Sequence, residues 1–186
     1  MTPQQATQDA YQQIVNHCQS LFIKKAKDYG TAWRIMRLPS ITDQLYIKAK
    51  RIRTLEQTGF SQVGEGILNE YVGIINYCVI GMIQLSLSDD APESLPLEQV
   101  LQGYQKAVED TFSLMEAKNH DYGEAWRDMR LESLTDLILM KIYRVKQIED
   151  NEGVTLVSEG IKANYQDMMN YAIFALIKLE FNSLTL

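Results

Sequence analysis

The sequence has few of the residues that crosslink small proteins or anchor them in membranes. It contains only two cysteines, Cys18 and Cys78, too few for a disulfide framework or a four-cysteine zinc site. Its longest apolar run, residues 72–87, includes Asn76 and Gln84, which favours a buried helix over a membrane span. The first residues show no basic start followed by an apolar stretch, so we expect no secretory signal.

Positive charge is also in deficit, with 18 basic against 24 acidic residues and a net charge of −6. This balance argues against nucleic acid as a partner, because nucleic-acid surfaces attract basic proteins. The exception is a basic cluster at Lys48, Lys50, Arg51 and Arg53, a pattern also typical of a solvated helix face. With 46% apolar and 23% charged residues, the composition predicts a folded cytoplasmic protein without a membrane partner.

The strongest feature of the sequence is an internal repeat. Residues 11–58 align with residues 104–151 at an offset of 93 and are identical at 21 of 48 positions. After one inserted residue the offset becomes 94, and residues 63–85 align with residues 157–179. Positions that both copies have kept therefore indicate which side chains the fold or the function requires.

Each copy is predicted to contain three helices. The apolar spacing from Tyr11 predicts a first helix that begins at Thr2-Pro3 and ends near Gly30. A second helix should begin at an N-cap, Ser40 in the first copy and Ser133 in the second, and end near residue 59 in the first. A third helix, over about residues 62–87, is apolar on most sides, which is typical of the centre of a bundle.

The predicted fold class is therefore all-α, with two tandem three-helix repeats packed as a pseudo-twofold helical bundle. Residues 1–87 form the first repeat, residues 88–96 a linker rich in Ser, Asp and Pro, and residues 97–186 the second repeat. The internal pairing leaves a homodimer open as a further partner.

The third helix of each copy carries a stripe of polar positions at i, i+4, i+8 and i+11, on one face of the helix. The stripe reads Glu65, Asn69, Gly73 and Asn76 in the first copy and Glu159, Ala163, Asp167 and Asn170 in the second. Buried polar groups without partners cost about 1–3 kcal/mol each, so something must satisfy them. Because Mg²⁺ prefers oxygen ligands, the stripe is a candidate metal site, best formed in the second copy, with Glu159, Asp167 and Glu65 as candidate ligands. The alternative is a polar seam bonded to neighbouring helices.

The densest block of identities runs over residues 25–38 and repeats over residues 118–131. It combines cations, aromatic rings and a carboxylate, which suits a pocket for a phosphorylated aromatic ligand. A scaffold explains the block equally well, since Gly ends helices and Trp fills cores. The candidate ligand-binding residues are Lys25, Asp28, Tyr29, Trp33, Lys48, Arg51, Asn76 and Tyr77, with Lys118, Asp121, Tyr122, Trp126, Lys141, Arg144, Asn170 and Tyr171.

These motifs resemble a known family. The pattern Lys-x-x-Asp-Tyr-Gly-x-x-Trp, then a Lys-x-x-Arg helix, then Glu and Asn-Tyr in an apolar helix, is similar to the nucleotide modification associated domain family, formerly a domain of unknown function. Its bacterial form is commonly duplicated. That family is similar to the all-α NTP pyrophosphatases, the group of MazG and the dimeric dUTPases. In that group, Glu/Asp clusters bind Mg²⁺ while water attacks a nucleoside triphosphate, giving the monophosphate and pyrophosphate.

The resemblance implies a nucleotide-binding protein, acting on nucleotides or modified nucleotides as a Mg²⁺-dependent triphosphate pyrophosphohydrolase. Glu159, Asp167 and Glu65 would then be its catalytic residues, holding the Mg²⁺ that activates water. Lys25, Lys48, Arg51 and their repeat partners would bind phosphates, while Tyr29, Trp33 and their partners would line the base or sugar pocket. The acidic stripe departs from the expected pattern, because Asn69, Gly73 and Ala163 stand at acidic places. The alternative is therefore a catalytically degenerate helical module that binds a nucleotide or another partner.

Overall fold

A computed structural model describes residues 2–59 and 66–179. The helices in this part of the chain are, in order, α1 (Pro3–Tyr29), a first 3-10 helix (Ala32–Ile35), α2 (Leu38–Thr58), α3 (Ile67–Ser86), α4 (Leu97–Tyr122), a second 3-10 helix (Ala125–Asp128), α5 (Leu131–Asp150) and α6 (Ile161–Lys178). The described residues contain no β-strand. The all-α class is confirmed, with α1–α3 forming the first copy and α4–α6 the second.

The predicted ends of α1 are confirmed. The hydroxyl of Thr2 accepts a hydrogen bond from the backbone N–H of Gln5 at 3.1 Å, and Pro3 occupies the first turn. Gly30 follows α1 with φ of 62°, and Gly123 follows α4 with φ of 60°. Side-chain-bearing residues rarely adopt this backbone conformation, so both glycines turn the chain sharply at the same place in the repeat.

The predicted start of the second helix was wrong by three residues in each copy. Arg37 is the N-cap of α2 and Arg130 the N-cap of α5, so Ser40 and Ser133 lie inside the first turn. Pro39 is favourable in that turn because it needs no hydrogen-bond partner for a backbone N–H. The third helix begins at Ile67, and the first part of the predicted span, residues 62–65, lies outside the described residues.

The two apolar helices α3 and α6 pack against each other at the centre, with α2 and α5 beside them. The approach is close, since a Cβ atom at Gly81 would lie 2.6 Å from the ring of Tyr165. Among the described helices, α3 alone is long and apolar enough to cross a membrane, and 67% of its apolar window is buried in the bundle. This burial is the behaviour of a core helix.

Reciprocal hydrogen bonds join the outer helices to the central helices of the other copy. The hydroxyl of Tyr11 on α1 donates to the amide oxygen of Asn170 on α6 at 2.9 Å. The hydroxyl of Tyr104 on α4 donates to the amide oxygen of Asn76 on α3 at the same distance. The two bonds are equivalent, with the tyrosine and the asparagine coming from opposite copies in each case. A pseudo-twofold axis between the copies requires such a pair.

A second pair of contacts crosses between the copies through threonine. The hydroxyl of Thr135 on α5 donates to the carboxylate of Glu56 on α2 at 2.6 Å and lies 2.9 Å from the hydroxyl of Tyr71 on α3. The corresponding network, with the copies exchanged, consists of Thr42, Glu149 and Tyr165. Burial raises the pKa of both glutamates above the ordinary value, so these carboxyls hold protons more strongly than exposed ones.

Replacing Asn170 by alanine tests the reciprocal bonds. The change leaves the buried hydroxyl of Tyr11 without its acceptor, so we expect the free energy of unfolding to fall by about 1–3 kcal/mol in urea denaturation. The control is Asn16→Ala on the exposed face of α1, expected to change it by at most about 0.5 kcal/mol. Equal effects of the two substitutions would contradict a structural role for the cross-copy bond.

Candidate functional site

A cavity of about 730 Å³ lies beside the end of α1 in the first copy. Helices α1, α2 and α3 and the first 3-10 helix form its wall. Six of the eight ligand-binding residues predicted for this copy line it, namely Lys25, Tyr29, Trp33, Lys48, Asn76 and Tyr77. The other two, Asp28 and Arg51, are not part of the lining. Small-molecule sites typically enclose about 300–1,000 Å³, so the cavity is large enough for a nucleotide.

The linker between the copies holds the segment that carries Trp33. The guanidinium of Arg34 donates to the carbonyl of Ala91 at 2.8 Å. The hydroxyl of Thr31 donates to the carbonyl of Glu93, also at 2.8 Å. Because these bonds fix the first 3-10 helix at both ends of its first turn, Trp33 keeps a defined place in the cavity wall.

A buried carboxylate that the sequence did not reveal lies among the cavity's cations. Glu70 on α3 is 5% exposed, is bonded to Arg51 and lies 3.4 Å from the amine of Lys48. Comparison of the copies could not find it, because Asn164 stands at the aligned position. The available signal was an acidic residue inside the most apolar helix. Lys25 is exposed and forms no ion pair with another residue in the described ranges.

Gly73 leaves room for Lys48 in the cavity. A Cβ atom at residue 73 would lie 2.6 Å from the Cε atom of Lys48 and 2.8 Å from its amine nitrogen. Any side chain at this position would therefore displace the lysine. The Lys48 amine also lies 5.9 Å from the ring centroid of Tyr77, within the range of a cation–π contact.

The second copy is closed at the corresponding place. Asp167 aligns with Gly73 and accepts hydrogen bonds from Lys118 and Lys141, each at 2.6 Å. These lysines align with the two lysines of the first-copy cavity. Asp167 and Lys141 are both buried. Partial burial lowers the pKa of the Lys118 amine, but the hydrogen bond to Asp167 outweighs this effect. The pKa is therefore raised above its ordinary value, and the amine stays charged.

The aromatic residues of the two copies also differ in their surroundings. The rings of Trp126 and Phe174 are stacked, with centroids 4.2 Å apart and an angle of 2° between their planes. The guanidinium of Arg127 lies 4.6 Å from the centroid of the Trp126 ring. Tyr122 and Asp121 are exposed. Trp33 and Trp126 are both buried, at 9% and 6% exposed, but Trp33 borders the cavity of the first copy whereas Trp126 is covered by Phe174.

Two predicted ligand-binding residues have structural partners instead. The amide oxygens of Asn76 and Asn170 each accept a hydrogen bond from a tyrosine, as described above. The amide nitrogen of Asn76 donates to the carbonyl of Cys18 at 3.1 Å, and that of Asn170 donates to the carbonyl of Thr111 at 3.3 Å. Both amides therefore bond at both ends within the bundle, which favours the scaffold interpretation for them. Tyr171 is half-buried. Burial raises the pKa of its hydroxyl above the ordinary value, and the nearby negative charge of Asp167 raises it further.

The predicted metal ligands do not meet in the part of the chain that the structure describes. Both oxygens of Asp167 face lysine nitrogens, and Glu159 is exposed and lines a groove of about 680 Å³ together with Arg144. Glu65 lies outside the described residues. No group of three or more His, Cys, Asp or Glu side chains within the described ranges could hold an ion. These residues alone do not fit Mg²⁺, and the metal site stays a prediction.

The basic cluster of α2 is largely paired with acids. Lys48 and Arg51 contact Glu70, and Arg53 bonds to Asp136 of the other copy. These contacts offset much of the positive charge that nucleic-acid binding would need, which favours the interpretation as a solvated helix face.

The family model for the nucleotide modification associated domain 1 matches the chain twice, over residues 25–85 and 118–179. One matched segment lies within each copy, and the resemblance to this family is confirmed. The further similarity to the all-α NTP pyrophosphatases stays a prediction. Neither a curated protein nor a solved structure matches the chain.

The aligned lysines of the two copies should differ in their effect on stability. Lys141→Ala removes a charge-assisted hydrogen bond of 2.6 Å to the buried Asp167, which keeps Lys118, so we expect the free energy of unfolding to fall by about 1.5–3 kcal/mol. Lys48→Ala, the matched substitution, should cost at most about 1 kcal/mol because it removes only a longer contact of 3.4 Å to Glu70, which keeps Arg51. Urea denaturation measures both, and losses of the same size would refute the contrast between an open and a closed site.

Proposed function

Since the chain belongs to the nucleotide modification associated domain 1 family, we propose that the first-copy cavity binds a nucleotide or a modified nucleotide. The supporting observation is the meeting of Lys25 and Lys48 with Tyr29, Trp33 and Tyr77 around one cavity of about 730 Å³. Lysines bind phosphate as point charges, and aromatic rings offer flat faces to a base. A cytoplasmic location, where nucleotides are abundant, belongs to the same proposal.

The charges in the cavity suit an anionic ligand. Glu70 is engaged by Arg51, which leaves Lys48 with a longer contact of 3.4 Å to the same carboxylate. A phosphate that approaches Lys48 therefore competes with a weak contact and not with a short one. Lys25 adds a second cation at the exposed edge, where it can close over the phosphates of a bound nucleotide.

Isothermal titration calorimetry with the eight common ribo- and deoxyribonucleoside triphosphates tests this proposal. We expect at least one to bind wild-type protein, and Lys25→Ala to raise its Kd about tenfold to a hundredfold, since a charge-assisted bond contributes about 1.5–3 kcal/mol. The control is Lys27→Ala, which removes an exposed lysine of the same helix that does not line the cavity. Binding by none of the eight and by none of a panel of base- and sugar-modified triphosphates, or equal effects of both substitutions, would refute the proposed site.

Binding without turnover is the form of this function that the contacts favour. Hydrolysis to the monophosphate and pyrophosphate would need metal-held carboxylates, and the carboxylate of Asp167 is engaged by two lysines. The catalytic interpretation of Glu159, Asp167 and Glu65 remains the second candidate, carried by the resemblance of the sequence motifs.

Incubation of the purified protein with pooled natural and modified nucleoside triphosphates, Mg²⁺ and Mn²⁺ separates the two candidates. We expect mass spectrometry to detect no monophosphate or pyrophosphate above a protein-free control. Loss of a particular triphosphate with matching products would instead establish a pyrophosphohydrolase. If the Glu159→Ala variant then failed to convert the same triphosphate, the activity would be assigned to this chain.

A further inference from the structure

The two copies differ at two positions that face the same place in the repeat. Gly73 in the first copy corresponds to Asp167 in the second, and Ile80 corresponds to Phe174. Both first-copy residues line the open cavity. Both second-copy residues contact side chains that align with cavity residues of the first copy. In each case the second copy has the larger side chain.

The first of these residues supplies an anion. The carboxylate of Asp167 is bound by Lys118 and Lys141, which come from α4 and α5. Their counterparts in the first copy, Lys25 and Lys48, border the cavity. Gly73 supplies no carboxylate there, and the carboxylate of Glu70 is bonded to Arg51 and lies 3.4 Å from Lys48. The lysine pair of the second copy therefore already holds a negative group, as a phosphate-binding pair would.

The second residue supplies an aromatic ring. The ring of Phe174 stacks on Trp126 at a centroid distance of 4.2 Å and an interplanar angle of 2°, the parallel arrangement that a base adopts on an aromatic side chain. In the first copy, the shorter Ile80 stands at this position and Trp33 borders the cavity.

We infer that Asp167 and Phe174 fill the second copy's own site, at the places that the phosphate and the base of a nucleotide take in the first copy, so that one chain binds one nucleotide. This inference rests on the proposed function. It assigns the phosphate to the space between Lys25 and Lys48 and the base to the face of Trp33.

The separation of the two internal groups indicates the class of nucleotide. Asp167 and Phe174 are seven residues apart on α6, which corresponds to roughly 10 Å along the helix axis. A base and its α-phosphate are separated only by the sugar, whereas the β- and γ-phosphates extend further. A nucleoside diphosphate or triphosphate therefore spans the two places better than a monophosphate, and a nucleoside lacks the anion altogether.

The test counts binding sites by isothermal titration calorimetry on three folded proteins. The probe is the triphosphate with the lowest Kd among the eight tested above, compared with its diphosphate, monophosphate and nucleoside. Wild type should bind one equivalent, and the di- and triphosphate should bind at least tenfold more tightly than the monophosphate. Gly73→Asp with Ile80→Phe should abolish binding, and Asp167→Gly with Phe174→Ile should bind two equivalents.

Matched controls and alternative outcomes keep the inference separate from the function on which it rests. The control is Asp110→Asn, which breaks the ion pair between Asp110 on α4 and Lys162 on α6. Neither residue belongs to either site, so this variant should still bind one equivalent. Two equivalents on wild type, or one on the opened variant, would overturn the inference while the proposed function stands. So would a monophosphate that binds as tightly as the triphosphate.

Two further arms decide the remaining cases. If the opened variant fails to fold by circular dichroism, the filled variant decides alone, and binding at the wild-type Kd would overturn the inference. If wild type binds none of the nucleotides, the proposed function fails together with the assignment of the base to Trp33. Inorganic tripolyphosphate then tests the remaining part of the inference, that Asp167 takes the place of a phosphate between the lysines. The same counts of one, none and two equivalents are then expected, and any other set would overturn the inference.

Discussion

Helices α3 and α6 pack closely against each other at the centre of the bundle, and α2 and α5 pack beside them. Both helices are apolar over most of their surface, and Gly81 allows the ring of Tyr165 to approach the backbone of α3. Each helix also carries an asparagine, half-buried Asn76 or buried Asn170, whose amide needs hydrogen-bond partners within the bundle. Tyrosines from the outer helices of the opposite copies supply them. Hydrophobic burial therefore brings the copies together, and hydrogen bonds select their relative position.

This requirement explains why the copies kept some residues and changed others. Thr42, Thr135, Glu56 and Glu149 form bonds that cross the pseudo-twofold axis, so a change in one copy breaks a contact with the other. Positions 73 and 167 form no such reciprocal bond across the axis. Asp167 accepts hydrogen bonds from Lys118 and Lys141 of its own copy, whereas Gly73 has no side chain and the nearby Glu70 is bonded to Arg51.

The difference between the copies is a difference in where the lysine charges are neutralised. In the second copy, two lysines and one aspartate form a mostly buried group, and separating them would leave a charge without a partner in a poorly hydrated place. In the first copy, Arg51 satisfies Glu70, while Lys25 faces solvent and Lys48 makes only a long contact. The same scaffold thus provides one closed, stabilising cluster and one open, cationic cavity.

The repeat, the helical class and the ends of α1 were readable from the sequence, because periodicity, capping residues and glycines at positive φ act locally. Six of the eight first-copy ligand candidates also lie together as predicted, since identity between copies marks residues under shared constraint. Identity could not separate a ligand-binding asparagine from a structural one, and it passed over Glu70, Ile80 and Phe174, which differ between copies. Only the tertiary structure decided these roles, because the partner of a buried polar or aromatic group is chosen by the packing of distant helices and not by its neighbours in the chain.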